Sequence, residues 1–179
     1  MVLSPRPPWF NKVLRCLPAV LWAVFIFVMS SQNASASSAN SQGIVRPVVA
    51  FVAEVTQLPA LSSDTPGYEL LLDDIGSVFR EAAHSAEYLV LGALMVLAST
   101  AFSLRRRAWV AFAVCVAYSL TDETHQLFVP GRAFQLQDLA LDALGSALGV
   151  WTVTAAMNVS ARRSQRAKGA AKVCAEVSA

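Results

Sequence analysis

The sequence predicts an all-α integral membrane bundle of four transmembrane helices, with one or two short interfacial helices in the first external loop. Three observations predict it. Of 179 residues, 55% are hydrophobic and 15% charged, where a soluble domain carries about 25% charge. The apolar residues fall in four blocks, 13–31, 85–104, 108–128 and 136–159. Each is near the ~20 residues that a helix needs to cross a hydrocarbon core of about 30 Å. Finally, the charges are sorted to opposite ends of these blocks. Arg6, Lys12 and Arg15 precede the first, Arg105, Arg106 and Arg107 separate the second and third, and Arg162, Arg163, Arg166, Lys168 and Lys172 follow the fourth. Only Arg46, Arg80 and Arg132 lie in the other half, with all the acidic residues except Glu176. Basic residues stay in the cytoplasm, so both termini are expected inside, in a cell membrane crossed several times.

Block one has a basic start, an apolar centre and an Ala34-Ser35-Ala36 stretch, the layout of a secretory signal; a retained spanning helix is the expectation. Residues 32–82 form the long external segment. Its Ser/Ala/Asn-rich start, 32–42, reads as a loop. Over 43–58, apolar residues recur at Val45, Val48, Val49, Val52 and Val55, the spacing of a short amphipathic helix on the outer surface, with Pro47 near its first turn. A loop over 59–67 and a second interfacial helix over 68–80 lead into block two. Residues 1–160 are expected to form the transmembrane domain, and 161–179 a basic, disordered cytoplasmic tail able to lie along anionic lipid.

Ionisable side chains at membrane depth cost roughly 2.5–3.5 kcal/mol each and usually face a protected interior. Here they cluster. Arg80, His84, Glu87 and Tyr88 share one face of the second helix by three- and four-residue spacing, as do Asp122, His125 and Gln126 on the third and Asp138 and Asp142 on the fourth. Glu123 accompanies the third set, and Arg132 stands in a Pro130-Gly131 turn positioned to fold over the carboxylates. Counted from their cytoplasmic ends at about 1.5 Å per residue, Glu87, Asp122 and Asp142 fall on one level in the outer leaflet. Three segments delivering carboxylates to one layer predict a shared outward pocket. Within it, Arg132 is expected to pair with Asp122 or Glu123. Arg80 and Arg132 should neutralise two of the three carboxylates, and Asp142 should carry a proton. Gly145 and Gly149, at G-x-x-x-G spacing, are expected to let a neighbouring helix approach closely.

Other chemistries are poorly served. Two histidines without repeated ligand spacing do not make a zinc site, so neither metal nor cofactor is expected. Cys16, Cys115 and Cys174 fit inert thiols better than a disulfide framework. No basic and aromatic surface suggests nucleic-acid binding. The expected partner is a membrane lipid or lipid-linked envelope precursor, and a homo-oligomer is compatible with the sequence.

The pattern Ser30-Ser31-Gln32, then Arg80-x-x-x-His84-x-x-Glu87-Tyr88, Asp122-Glu123-x-x-Gln126-x-Phe128-x-Pro130-Gly131-Arg132 and Asp138-x-x-x-Asp142-x-x-Gly145 resembles the VanZ-like family. The likeness runs from about residue 14 to 155. It departs at Glu81, where the family commonly has Lys, and at Asp142, where Asn is usual. It implies a small bacterial inner-membrane protein whose helices bundle around an outward polar site, in a family associated with low-level teicoplanin resistance. Binding of a lipid head group, cell-wall precursor or lipophilic glycopeptide is one expectation. A membrane enzyme acting on a lipid-linked substrate by carboxylate and histidine acid–base chemistry is the other.

Overall fold

A computed structural model describes residues 8–58 and 63–177. Arg6 and part of the expected 59–67 loop lie outside them, as do the side chains of Lys12, Lys172, Cys174 and Glu176. Among the described residues the chain is all-α, with five helices: α1 Pro8–Ser30, α2 Ala34–Thr56, α3 Tyr68–Ala98, α4 Leu104–Gln126 and α5 Leu136–Val177. Three are long and apolar enough to cross a membrane, over Val13–Ser30, Tyr68–Ala98 and Leu136–Ala170. The expected third block falls on α4. Its arginine-rich first turn and its Asp122, Glu123, His125 and Gln126 end dilute the apolar run between them.

α3 packs most extensively on α5, and small residues make this possible. A Cβ at Gly145 would collide with the Ser85 carbonyl oxygen and one at Gly149 with that of Leu89. At Gly92 it would stand 2.6 Å from the Ser146 oxygen. The glycine stripe of α5 thus serves close helix approach, as its spacing predicts. α1 docks through Ile26, which is fully buried with Tyr88, Leu91 and Cys115. Two cross-helix hydrogen bonds fix its depth: Trp22 Nε1 donates to the Glu87 carbonyl (2.8 Å) and the Tyr118 hydroxyl donates to that of Ala23 (2.6 Å). Its other face leaves Leu17, Val20, Leu21, Val24 and Val28 exposed. Such a stripe wants an apolar solvent.

The connections refine the sequence reading. The Ser/Ala-rich stretch expected as a loop is helical from Ala34. Asn33 caps it by accepting from the Ala36 N–H (2.8 Å), and the Ser41 hydroxyl bonds back to the Ser37 carbonyl (2.9 Å), so its polar side chains need no loop to be satisfied. Pro47 consequently sits inside α2, not in a first turn. The second expected interfacial helix is not separate: it continues into block two as the 31-residue α3, about 46 Å long at 1.5 Å per residue. α3 ends at Ala98 rather than near 104. There Arg107 donates to the Thr100 and Phe102 carbonyls (both 2.7 Å), closing the turn that separates α3 from α4.

The tail expected to be disordered prolongs α5 to Val177. Ala161, Arg162, Arg163, Gln165, Arg166, Ala167, Lys168 and Ala170 are strong helix formers, and a helix already nucleated upstream extends at little cost.

α2 lies along the N-terminal half of α3. Val45 and Val49 bury against Leu72, while Arg46 forms an exposed ion pair with Glu69. The start of α2 is anchored on the α4–α5 turn, where the Ala34 N–H donates to the Pro130 carbonyl (3.3 Å). Gly131 there takes a positive φ of 78°, and a Cβ on it would meet that of Ala34 at 3.0 Å. This contact brings α2 over the polar ends of α3, α4 and α5.

Candidate functional site

Beneath that roof is a partly open cavity of about 540 Å³. α1 contributes Met29 and Ser30 to its wall, α2 Ser37, Ser38, Ser41 and Ile44, and α3 Arg80, His84 and Glu87. Gln126, Arg132, Gln135 and Asp138 line it from the other side, and Ser77, Phe79 and Glu81 of α3 also reach it. Six of the residues singled out by sequence therefore share one cavity wall: Arg80, His84, Glu87, Gln126, Arg132 and Asp138.

Asp122 and Asp142 lie just behind that wall, almost wholly buried. His84 joins them: its Nδ1 is 2.8 Å from Asp142 Oδ1 and its Nε2 is 3.2 Å from Asp122 Oδ2. Each carboxylate has a further donor. The Ser119 hydroxyl bonds Asp142 Oδ2 and the Ser30 hydroxyl bonds Asp122 Oδ1, both at 2.6 Å. Three helices and α1 thus converge on one cluster. Two carboxylate oxygens facing two ring nitrogens need a hydrogen in each gap, carried by the imidazole or by a carboxyl group.

The shared level of Asp122 and Asp142 is therefore real. The group between them, however, is His84 and not an arginine. An imidazole at helix spacing reaches both carboxylates without leaving its own helix, whereas the Arg132 side chain starts from a turn above them.

Arg132 pairs with neither Asp122 nor Glu123. Glu123 is buried and turned towards the chain that follows α4, where its Oε2 accepts from the Gln135 N–H (2.9 Å). The carboxylate expected to hold the arginine shapes the turn carrying it. The Arg132 Nε is buried without a hydrogen-bond partner, and neither Arg132 nor Arg80 forms an ion pair among the described residues. Burial, and next the like charge of Arg80, draw the Arg132 guanidinium below its ordinary pKa. The fields of Asp138, Asp122 and Glu123 act the other way on Arg132, but none of the three pairs with it. A guanidinium without an ion partner can take an anion through paired donors.

Two further predicted members are off the cavity wall. His125 points away from the cavity, its Nε2 3.1 Å from the Ser31 hydroxyl and its ring 4.6 Å from that of Phe27. Tyr88 is fully buried in the core with Ile26 and Leu91, its ring packed 5.3 Å from that of His84. Sequence reasoning passed over Ser119 as a carboxylate partner, and over the α2 serines and Gln135 as wall residues. Ser119 stands one turn before Asp122 on the same face, a spacing that offered a weak signal. Nothing local distinguished the α2 serines.

A family model, VanZ/LLP1, matches residues 16–157, which includes every residue of the cavity wall and of the histidine cluster. No curated protein and no solved structure matches the chain.

Proposed function

The chain belongs to the VanZ/LLP1 family, and from that premise and its apolar helices, which mark a membrane protein, we propose a function. It is a multi-pass protein of the bacterial inner membrane whose outward pocket binds an anionic head group. That group belongs to a membrane lipid, a lipid-linked cell-wall precursor or a lipophilic glycopeptide antibiotic. In this reading α4 is the fourth span, its charged ends placed at the two boundaries. Residues 1–160 form the membrane domain, both termini are cytoplasmic, and α2 with the start of α3 forms the external layer. Cysteine labelling of intact cells tests the orientation: a Cys at Ser63 should react with an impermeant reagent and one at Ser164 should not.

One observation carries the reading: Arg80 and Arg132 share a cavity wall without an ion-pairing carboxylate, while Asp122 and Asp142 are engaged by His84 and two serine hydroxyls. Protein purified in mild detergent should carry an anionic lipid detectable by native mass spectrometry, and Arg80→Gln with Arg132→Gln should lose it. Retention of the same lipid by the double variant overturns the assignment. The family's association with teicoplanin resistance extends to this chain if teicoplanin displaces that lipid.

A second reading is favoured by the way His84 opens onto the cavity with two carboxylates behind it, next to a Glu87 carboxylate whose buried Oε2 has no partner. That is the layout of an acid–base pair acting on a lipid-linked substrate. Turnover of added lipid phosphate by the purified protein, lost in Glu87→Gln, would support it over simple binding.

A further inference from the structure

The cavity is much larger than the anion that its two cations select. At ~30 Å³ per water in the liquid, its volume of about 540 Å³ equals roughly 18 waters, whereas a phosphate has the bulk of only a few. The remaining wall mixes apolar side chains with uncharged polar and acidic ones. Among the described residues, the side chains of Ser38, Ser77, Gln126, Gln135, Glu87 and Asp138 face this space and form no hydrogen bond with one another or with the rest of the chain. They come from α2, α3, α4, the turn and α5, so the free polar groups surround the space instead of lining one strip of it.

Their chemistry is mixed. Two carboxylates only accept when ionised, two amides both donate and accept, and two hydroxyls do either. A donor-only ammonium would use the carboxylates and leave the amide donors idle. A bare phosphate would use the guanidiniums and leave the carboxylates idle, at a repulsive cost. A ring carrying several hydroxyls, each at once donor and acceptor, matches the whole set. Met29, Ile44 and Phe79 give the same cavity apolar lining; a sugar ring presents a C–H face that apolar side chains can cover.

We propose that the cavity recognises a glycosyl phosphate, the phosphate held between Arg80 and Arg132 and the sugar ring enclosed by the surrounding amide, hydroxyl and carboxylate side chains. This rests on the anion-binding reading of the pocket and names its ligand class. The same head group can arrive free in solution or attached to a membrane-anchored polyprenyl chain. A site built to hydrogen-bond hydroxyls rejects an analogue lacking them far more strongly than an apolar pocket rejects a change of size, so the assignment is sharply testable.

Titration calorimetry on the full chain in lipid nanodiscs, with inorganic phosphate, glycerol 3-phosphate, glucose 1-phosphate and a polyprenyl phosphoglucose, tests it. Glucose 1-phosphate should bind at least about tenfold more tightly than glycerol 3-phosphate. Ser38→Ala combined with Gln135→Ala, both at the accessible rim, should bring that ratio near one. Arg132→Gln should weaken every phosphate compound together. Tighter binding of the polyprenyl compound supports the membrane-borne source, and equal binding supports the free one. Equal affinity of wild type for glucose 1-phosphate and glycerol 3-phosphate overturns the sugar assignment and leaves the anion pocket standing. A full preference surviving in the double variant overturns the placement of the ring. Failure of every phosphate compound to bind overturns the reading beneath it.

Discussion

The two cationic centres of one cavity treat charge in opposite ways. His84 stands between Asp122 and Asp142, and both carboxylates take a second hydrogen bond from a serine. Neither Arg80 nor Arg132 forms an ion pair among the described residues. Chain length and burial do not explain the contrast, since His84 and Arg132 are both half-buried on the same wall. Satisfaction does. A buried ion pair whose remaining lone pairs are filled holds helices in one arrangement, whereas unpaired like charges side by side make the empty state costly and the occupied state favourable. The first centre is built for the fold and the second for a ligand.

The largest effect should come from breaking the satisfied centre. His84→Ala leaves two buried carboxylates without their cation and should cost about 3–5 kcal/mol, read as a lower unfolding midpoint in detergent and low abundance in the membrane. Asp142→Asn comes next. An amide keeps one acceptor oxygen and turns the other position into a donor, so the Ser119 hydroxyl must turn to accept and a charge-assisted bond to His84 becomes a neutral one. The loss should be about 1–3 kcal/mol by the same measurement. This is opposite to the expectation from the family likeness, in which Asn is the usual residue there. An unchanged midpoint would mean that Asp142 contributes as a neutral group.

Arg132→Ala should behave differently from both. Removing an unpaired, half-buried guanidinium should leave the ligand-free midpoint unchanged or slightly raised, while abolishing the rise that added lipid phosphate produces. A fall comparable to that of His84→Ala would place Arg132 with the structural centre and erase the contrast. Arg46→Ala sets the floor. Its ion pair with Glu69 is exposed and screened by water and salt, so no measurable change is expected.

Which residues form the site was legible in good part. Arg80, His84, Glu87, Gln126, Arg132 and Asp138 reach one cavity, and Asp122 and Asp142 back it, because helical periodicity and the apolar blocks together specify both facing and approximate height. Who pairs with whom was not legible. The expected partner of Arg132, Glu123, instead binds the Gln135 backbone, and His125, one turn from Asp122, turns towards Ser31 and Phe27. Differences of a few ångströms decide such partners, and spacing along a helix resolves only its face.

The sequence by itself determined the helical class, the membrane character, the family, the G-x-x-x-G approach of α5 to α3 and the gathering of charge at one end. Those properties follow from local periodicity and from the cost of placing charge in hydrocarbon, both of which act residue by residue. Only the tertiary structure decided that α2 forms the roof of the cavity, that His84 takes the position between the carboxylates, and that the two arginines are left free. Each depends on contacts between residues far apart in the chain: Ala34 with Pro130, His84 with Asp122 and Asp142, Glu123 with Gln135. Competition among such contacts is settled by the packed geometry of all the helices at once.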